Sequence, residues 1–431
     1  MNLISKISSM WEGLTEPFLI YRGQEFSFKE LLSVDPVDLS QVRKGDVVAL
    51  IGDFDPLSLM SLLRIIDKDA VVFPLTDSNT DRHSSLFETA LVDVVIQGDE
   101  IRRRPHNDRH ELIDRIRAEE HPGLISMSTG TTGPPKAILH DLQRFLQRYE
   151  TPRPAFRTIN FLMLDHIGGL NTLFHTLFNK GTVIAPKART VKAILDACEE
   201  SAAEVLPTTP TFLRMLLMSG AVPSKVPSTL RMITYGTERM DQDTLDQLCR
   251  LLPEIDFRQT FGISELGVLR VKSKARDSLY MRIGGEGVET RVVDDVLHIR
   301  SESCMLGYIN APSPFDAEGW YETKDVVEED DDGYYKVTGR IGEVINVGGL
   351  KFMASEVELV ALKFPNVSLV KAFGSNNPVT GEHVEIVVEP LGEGFDTQRF
   401  RDFMKSSLPT HMVPKRIVLG TVPVGPRYKK R

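Results

Sequence analysis

Residues 128–137 read STGTTGPPKA. The hydroxyls of Ser128, Thr129, Thr131 and Thr132, the glycines Gly130 and Gly133, and the ammonium of Lys136 are the parts of a phosphate cradle. Glycines free backbone N–H groups to face an anion, hydroxyls add donors, and one lysine adds charge. The spacing G-x-x-G-x-x-K differs from the G-x-x-x-x-G-K-[ST] of P-loop proteins, so that reading fails on residue count. A Gly/Pro surface loop would use the same residue types, and this segment alone leaves both readings open.

Such a loop needs rigid flanks. LISMS before it is apolar enough for a strand, and AILHDLQRFLQRYE after it has helical spacing. The expectation is therefore strand, loop, helix, with Lys136 at the helix entrance. Elsewhere DVVALIGD, VVFPLT, TINFLML, TVIAP and EVLPTTP are short apolar runs, separated by helical stretches such as PLSLMSLLRIIDKDA and HIGGLNTLFHTLFNKG. Strands alternating with helices predict crossover units and largely parallel sheets, an α/β body. From about 280 to 338 the texture becomes β-rich. From about Ile341 a small α+β unit begins, with two helices, SEVELVALKF and TQRFRDFMKSSL, among its strands. The acidic run Glu328–Gly333 reads as a solvated turn.

Bulk composition narrows the function. A chain of 431 residues with 41% hydrophobic and 26% charged residues is globular and long enough for two or three domains. A net charge of -9 argues against nucleic acid as a partner. No apolar run reaches the ~18 residues a membrane span needs, and the N-terminus lacks a signal-peptide core. Cys198, Cys249 and Cys304 are widely spaced and odd in number, which points to a reducing cytoplasm rather than to a disulfide framework or a zinc site.

STGTTGPPKA resembles the phosphate-binding signature of the adenylate-forming superfamily, which contains acyl- and aryl-CoA synthetases, peptide-synthetase adenylation domains and firefly luciferases. LDHIGGL, TYGTERM, TFGISELG, GWYETKDV, GRIGEVINVGGLKF and a C-terminal lysine segment follow in that family's order, so the resemblance covers nearly the whole chain. It implies a large N-terminal body of αβ subdomains plus a small β-barrel region, residues 1–340, which binds ATP and an acid. A small mobile C-terminal domain, 341–431, would follow. The N-terminal body looks short for the family.

The same resemblance assigns roles. Glu265 would be the Mg²⁺ ligand, as a hard oxygen donor suits. Ser264 stands where Thr is usual, near the α-phosphate, and Phe261, beside Gly262, stands where Tyr is common and could pack on adenine. Gly236, Thr237 and Glu238 resemble the turn that holds the adenine edge. Asp325 would hold the ribose hydroxyls, with Lys324 in place of the usual glycine, and Arg340 would reach the ribose from the domain boundary. Gly342 sits at the hinge position, Gly348 and Gly349 would let the CoA pantetheine pass, and His166 would gate the acid pocket. Lys429, with Lys430 as rival, would hold the carboxylate and α-phosphate.

Together these imply an ATP- and Mg²⁺-dependent ligase that joins a small carboxylic acid, apolar acyl or aryl, to CoA. A stand-alone adenylating enzyme that loads an acyl carrier protein or an amine is the alternative. A non-catalytic nucleotide-binding homologue is the reading from another class, motivated by Tyr428, Ala137 and Lys324 where the family has glycine.

Overall fold

The protein is described by a computed structural model that covers residues 2–34, 37–105, 110–128 and 134–425. Two seven-stranded sheets form its body. In the first, Asp256–Gln259, Met232–Tyr235, Val205–Thr208, Arg157–Ile159, Thr182–Ala185 and Leu19–Tyr21 run parallel, and Gln24–Phe26 closes the edge antiparallel. In the second, Gly123–Met127, Val71–Leu75, Val47–Ile51 and Val94–Gln97 are the parallel centre. Val47–Ile51 and Val71–Leu75 are buried at every position, which is why they read as unbroken apolar runs instead of alternating ones.

Helices cover these sheets. Pro56–Asp67 starts on Asp55, whose side chain accepts from Ser58 N, with proline in its first turn. One core joins Leu19 and Val183 of the first sheet to Val48 and Leu50 of the second through Met60, Leu170 and Phe174 of the helices. Functional segments leave the carboxyl ends of parallel strands, where open α/β sheets bind ligands. Residues 128–136 follow Gly123–Met127, 236–238 follow Met232–Tyr235, and 260–265 follow Asp256–Gln259.

One local expectation is overturned. The stretch after Lys136 opens as a strand, Ala137–Asp141, paired antiparallel to Gly123–Met127 with Ile125 opposite Leu139. The helix begins only at Leu142. All five strand residues are buried inside the sheet, and that burial overrides the helical spacing of the sequence. The phosphate-loop candidate thus links two strands of a hairpin, and Lys136 stands at a strand entrance.

The β-rich region is a six-stranded antiparallel sheet, in the order 271–273, 281–283, 335–340, 321–329, 296–301, 288–293. The acidic run lies at the turn between two of its strands, as expected, where Lys274 pairs with Asp330 and Asp332. The last sheet, built from residues 344–347, 350–353, 367–377, 381–390 and 416–419, carries helices Ala354–Ala361 and Thr397–Ser407. Its core of Val357, Val370, Ile386, Phe400 and Met404 is its own. Among the described residues no helix is long and apolar enough to cross a membrane.

Candidate active site

Thr129, Gly130, Thr131, Thr132, Gly133 and Lys429 lie outside the described residues. The loop's two ends are placed. Ser128 N donates to the Lys136 carbonyl at 2.9 Å, and Lys136 N donates to Ser128 Oγ at 3.0 Å. Asn310 fastens the exit: its Oδ1 accepts from Ala137 N at 2.8 Å and its Nδ2 donates to the Pro135 carbonyl at 3.0 Å. The Lys136 side chain is exposed, and its ammonium lies 4.7 Å from the centre of the Tyr308 ring.

Tyr308 leads to the next candidate. Its hydroxyl donates to Glu265 Oε1 at 2.7 Å, and both residues are buried. Burial first, and then this hydrogen bond, push the phenol's pKa up, so it stays a donor. Glu265 is held through its backbone as well. Met305 N donates to its carbonyl at 2.8 Å, and His140 Nε2 donates to the carbonyl of Ser264 at 2.8 Å. Burial drives the His140 imidazole down from 6.5 to about 4, with the Arg148 charge adding to the effect, so this ring is a neutral strut.

The ribose candidates meet on neighbouring strands. Asp325 and Arg340 are register partners, and Arg340 Nε donates to Asp325 Oδ1 at 2.6 Å. The Asp325 backbone N–H donates to Thr323 Oγ1 at 3.0 Å, and that hydroxyl donates to the Leu297 carbonyl at 2.7 Å. Lys324 has φ +63°, the left-handed region that accounts for glycine as the usual residue there. Tyr321 lies near enough to this pair and to Glu265 to feel their charges. Burial chiefly raises its pKa, the Glu265 and Asp325 charges raise it further, and the Arg340 charge opposes them.

The adenine-turn candidates occupy a close approach. A side chain at Gly236 would collide with the Thr260 hydroxyl and lie 2.7 Å from the Thr260 carbonyl. Thr237 is exposed with φ +68°. The Glu238 carboxylate turns back onto helix Pro210–Met218, where it accepts from Thr211 N at 3.2 Å. What this turn offers a ligand is therefore its backbone. Phe261 packs with Leu266, Leu269 and Met281 at only 8% exposure, and Gly262 follows it on the same strand.

The remaining candidates are placed differently. His166 caps helix Ile167–Phe178, with Nδ1 accepting from Gly168 N at 2.9 Å. Gly342 lies in the short turn Ile341–Glu343. Gly348 and Gly349, at φ +62° and +87°, form the two-residue link between strands Val344–Val347 and Leu350–Met353. Two successive positive φ values explain the glycine pair by the hairpin alone. Sequence reasoning missed Tyr308, Tyr321, His140 and Asn310.

A cation would find one carboxylate here. Among the described residues, Glu119, His121 and Asp141 are grouped closely enough to share an ion, but Arg115 and Arg144 already pair with that cluster's carboxylates. Glu265 accepts a hydrogen bond on one oxygen, and among the described residues its second oxygen has no hydrogen-bond or ion-pair partner. A single hard oxygen ligand fits Mg²⁺ that arrives with nucleotide phosphates better than a resident ion.

The α/β body thus carries a buried Tyr308–Glu265 pair beside the exposed Lys136. The model of the AMP-binding enzyme family matches residues 39–309, and the chain belongs to that family. A probable CoA ligase of Humulus lupulus, CCL8, is 27% identical over 327 residues, 64% of this chain and 52% of its own length. Indoleacetate–CoA ligase of Aromatoleum aromaticum is 27% identical over 330 residues, 69% of this chain and 63% of its own. The matches thus span between half and two-thirds of these relatives. The o-succinylbenzoate CoA synthetase of Bacillus subtilis, solved with an acyl-adenylate intermediate, shares the fold at TM-score 0.78 and 17% identity, covering 100% of this chain and 96% of its own.

Proposed function

We propose that this protein is an AMP-forming acid–thiol ligase that converts a small carboxylic acid to its adenylate and then to a CoA thioester. The observation that carries the reading is the convergence of Lys136, Glu265, Asp325 and Arg340 around Tyr308 and Tyr321. A carboxylate oxygen attacks the α-phosphorus of ATP, the bond to the β-phosphate breaks, and pyrophosphate leaves. The CoA sulfur then attacks the acyl carbon, gives its proton to solvent, and AMP departs. Bound Mg²⁺ would neutralise charge on the phosphate oxygens, with Glu265 as its ligand from the chain. Lys136 adds a second cation, the Gly236–Thr237 backbone faces the base, and Asp325 with Arg340 orients the ribose. Two curated relatives named as CoA ligases support the acceptor.

In the same reading, residues 1–340 bind ATP and acid, and 341–431 swing about Gly342 between the two steps. The separate core of the last sheet supports that division. We place the enzyme in the cytoplasm, on three cysteines, Cys198, Cys249 and Cys304, that are free thiols in the fold.

The deciding experiment is pyrophosphate release from ATP and Mg²⁺ over a panel of acids, with and without CoA. Acid-dependent release that CoA accelerates, leaving a thioester, is expected. Release indifferent to CoA would move the acceptor to a carrier protein or an amine. Absence of release with nucleotide bound would overturn the catalytic reading.

A further inference from the structure

Lys136 and Glu265 carry opposite charges within reach of one phenol, and Tyr308 joins them without a direct ion pair. Its ring faces the ammonium at 4.7 Å, and its hydroxyl takes one carboxylate oxygen at 2.7 Å. The backbone of Tyr308 is equally constrained. Gly307 and Tyr308 pair antiparallel with Leu139 and Ile138, Leu306 N donates to the Leu139 carbonyl at 2.7 Å, and Ile309 N donates to the Ala137 carbonyl at 2.9 Å. Asn310, two residues on, fastens Pro135 and Ala137 on either side of Lys136. The segment 306–310 is therefore bolted to the strand that the lysine immediately precedes, while its one phenol reaches across to the carboxylate.

We propose that Tyr308 is a positioning residue that holds Lys136 and Glu265 apart and ready, so that nucleotide phosphates and their cation meet two separated charges instead of a closed ion pair. An exposed lysine near a buried carboxylate would otherwise be drawn towards it, because opposite charges attract more strongly as water is excluded from between them. A collapsed pair would have to open before either charge could serve the ligand. The aromatic face offers the ammonium a weaker seat that is easily left, and the phenolic hydroxyl takes up one carboxylate oxygen while the other remains for coordination.

The inference rests on the ligase reading for the roles of Lys136 and Glu265, and its test separates the two. Calorimetric titration would compare AMP with α,β-methylene-ATP, the latter with and without Mg²⁺, for the wild type, Tyr308→Phe and Tyr308→Leu. The wild type should bind the triphosphate more tightly with Mg²⁺. Tyr308→Phe, which keeps the ring and loses the hydroxyl, should forfeit about tenfold of that Mg²⁺-dependent gain, as expected for a hydrogen bond to a charged group, with AMP binding unaltered. Tyr308→Leu should also weaken binding without Mg²⁺, because Lys136 is then drawn to Glu265. A full Mg²⁺ gain in Tyr308→Phe overturns the inference and leaves the ligase reading intact. Equal loss for AMP and the triphosphate overturns it too, since a merely structural residue would behave so. A wild type without any Mg²⁺ gain removes both the metal role and this inference. Should Tyr308→Leu fail to fold, Tyr308→Phe decides.

Discussion

At Gly236 a methyl group would run into the Thr260 hydroxyl and lie 2.7 Å from its carbonyl, whereas at Gly342 it would meet nothing within 4 Å. The same residue type thus does opposite work in two regions. At the candidate adenine turn it removes volume so that two strand ends can close on each other. At the junction with the last sheet it removes no clash in this conformation. The contrast extends to the neighbours. His140, Asn310 and Tyr308 fasten the first region by buried or half-buried hydrogen bonds. Ile341, Gly342 and Glu343 are all exposed. The first region is held by hydrogen bonds between distant segments, and the second leaves its turn exposed.

The largest effect expected from the tight side is a pH dependence at His140. Its imidazole sits at about 4 in the fold against 6.5 for the free side chain, so the unfolded chain binds more protons between those values. Stability from this group is complete above about pH 6.5 and falls as pH drops towards 4, by about 3 kcal/mol in all at 1.36 kcal/mol per unit. Below pH 4 it changes no further. Urea unfolding across pH 4 to 7 should show this loss in the wild type and lack it in His140→Gln, whose amide can still donate to the Ser264 carbonyl. Parallel curves for the two proteins would mean that the ring is not a neutral strut.

Gly236→Ala probes the close approach itself. The added methyl must push strand Met232–Tyr235 from Thr260, and overpacking of this kind costs about 2 kcal/mol. The displaced turn should also lose affinity for AMP, read by calorimetry. A variant as stable as the wild type, with unaltered AMP binding, would remove the adenine-turn role and the steric argument together.

How much of this was legible in the sequence follows the same divide. Lys136, Glu265, Asp325 and Arg340 stand in short local motifs, and the α/β body, the β-rich region and the final α+β unit followed from periodicity. The supports were not legible. Tyr308 acts on a residue 43 positions away, His140 on one 124 away and Asn310 on one 173 away, and no local pattern marks such partners. Ala137–Asp141 was misread because helical spacing and a wholly buried strand look alike over five residues. Phe261 came from the resemblance to the family, and its packing with Leu266 and the distant Met281, at the start of a short strand, is a contact that no local pattern marks.

Gly342 tests the loose side. Since a Cβ there meets no atom in the present conformation, Gly342→Ala should leave the unfolding free energy within about 0.5 kcal/mol of the wild type. If residues 341–431 swing about this position, the alanine narrows the φ/ψ range open to the turn. The step that needs the second conformation, thioester formation, should then slow several-fold. Exchange of labelled pyrophosphate into ATP, which reports adenylation alone, should keep its rate. Loss of both activities would place Gly342 in the nucleotide machinery, and retention of both would reduce it to an ordinary turn residue. A split between the two rates is the signature that separates a hinge from either, because a fault in folding or in nucleotide binding would slow the first step along with the second.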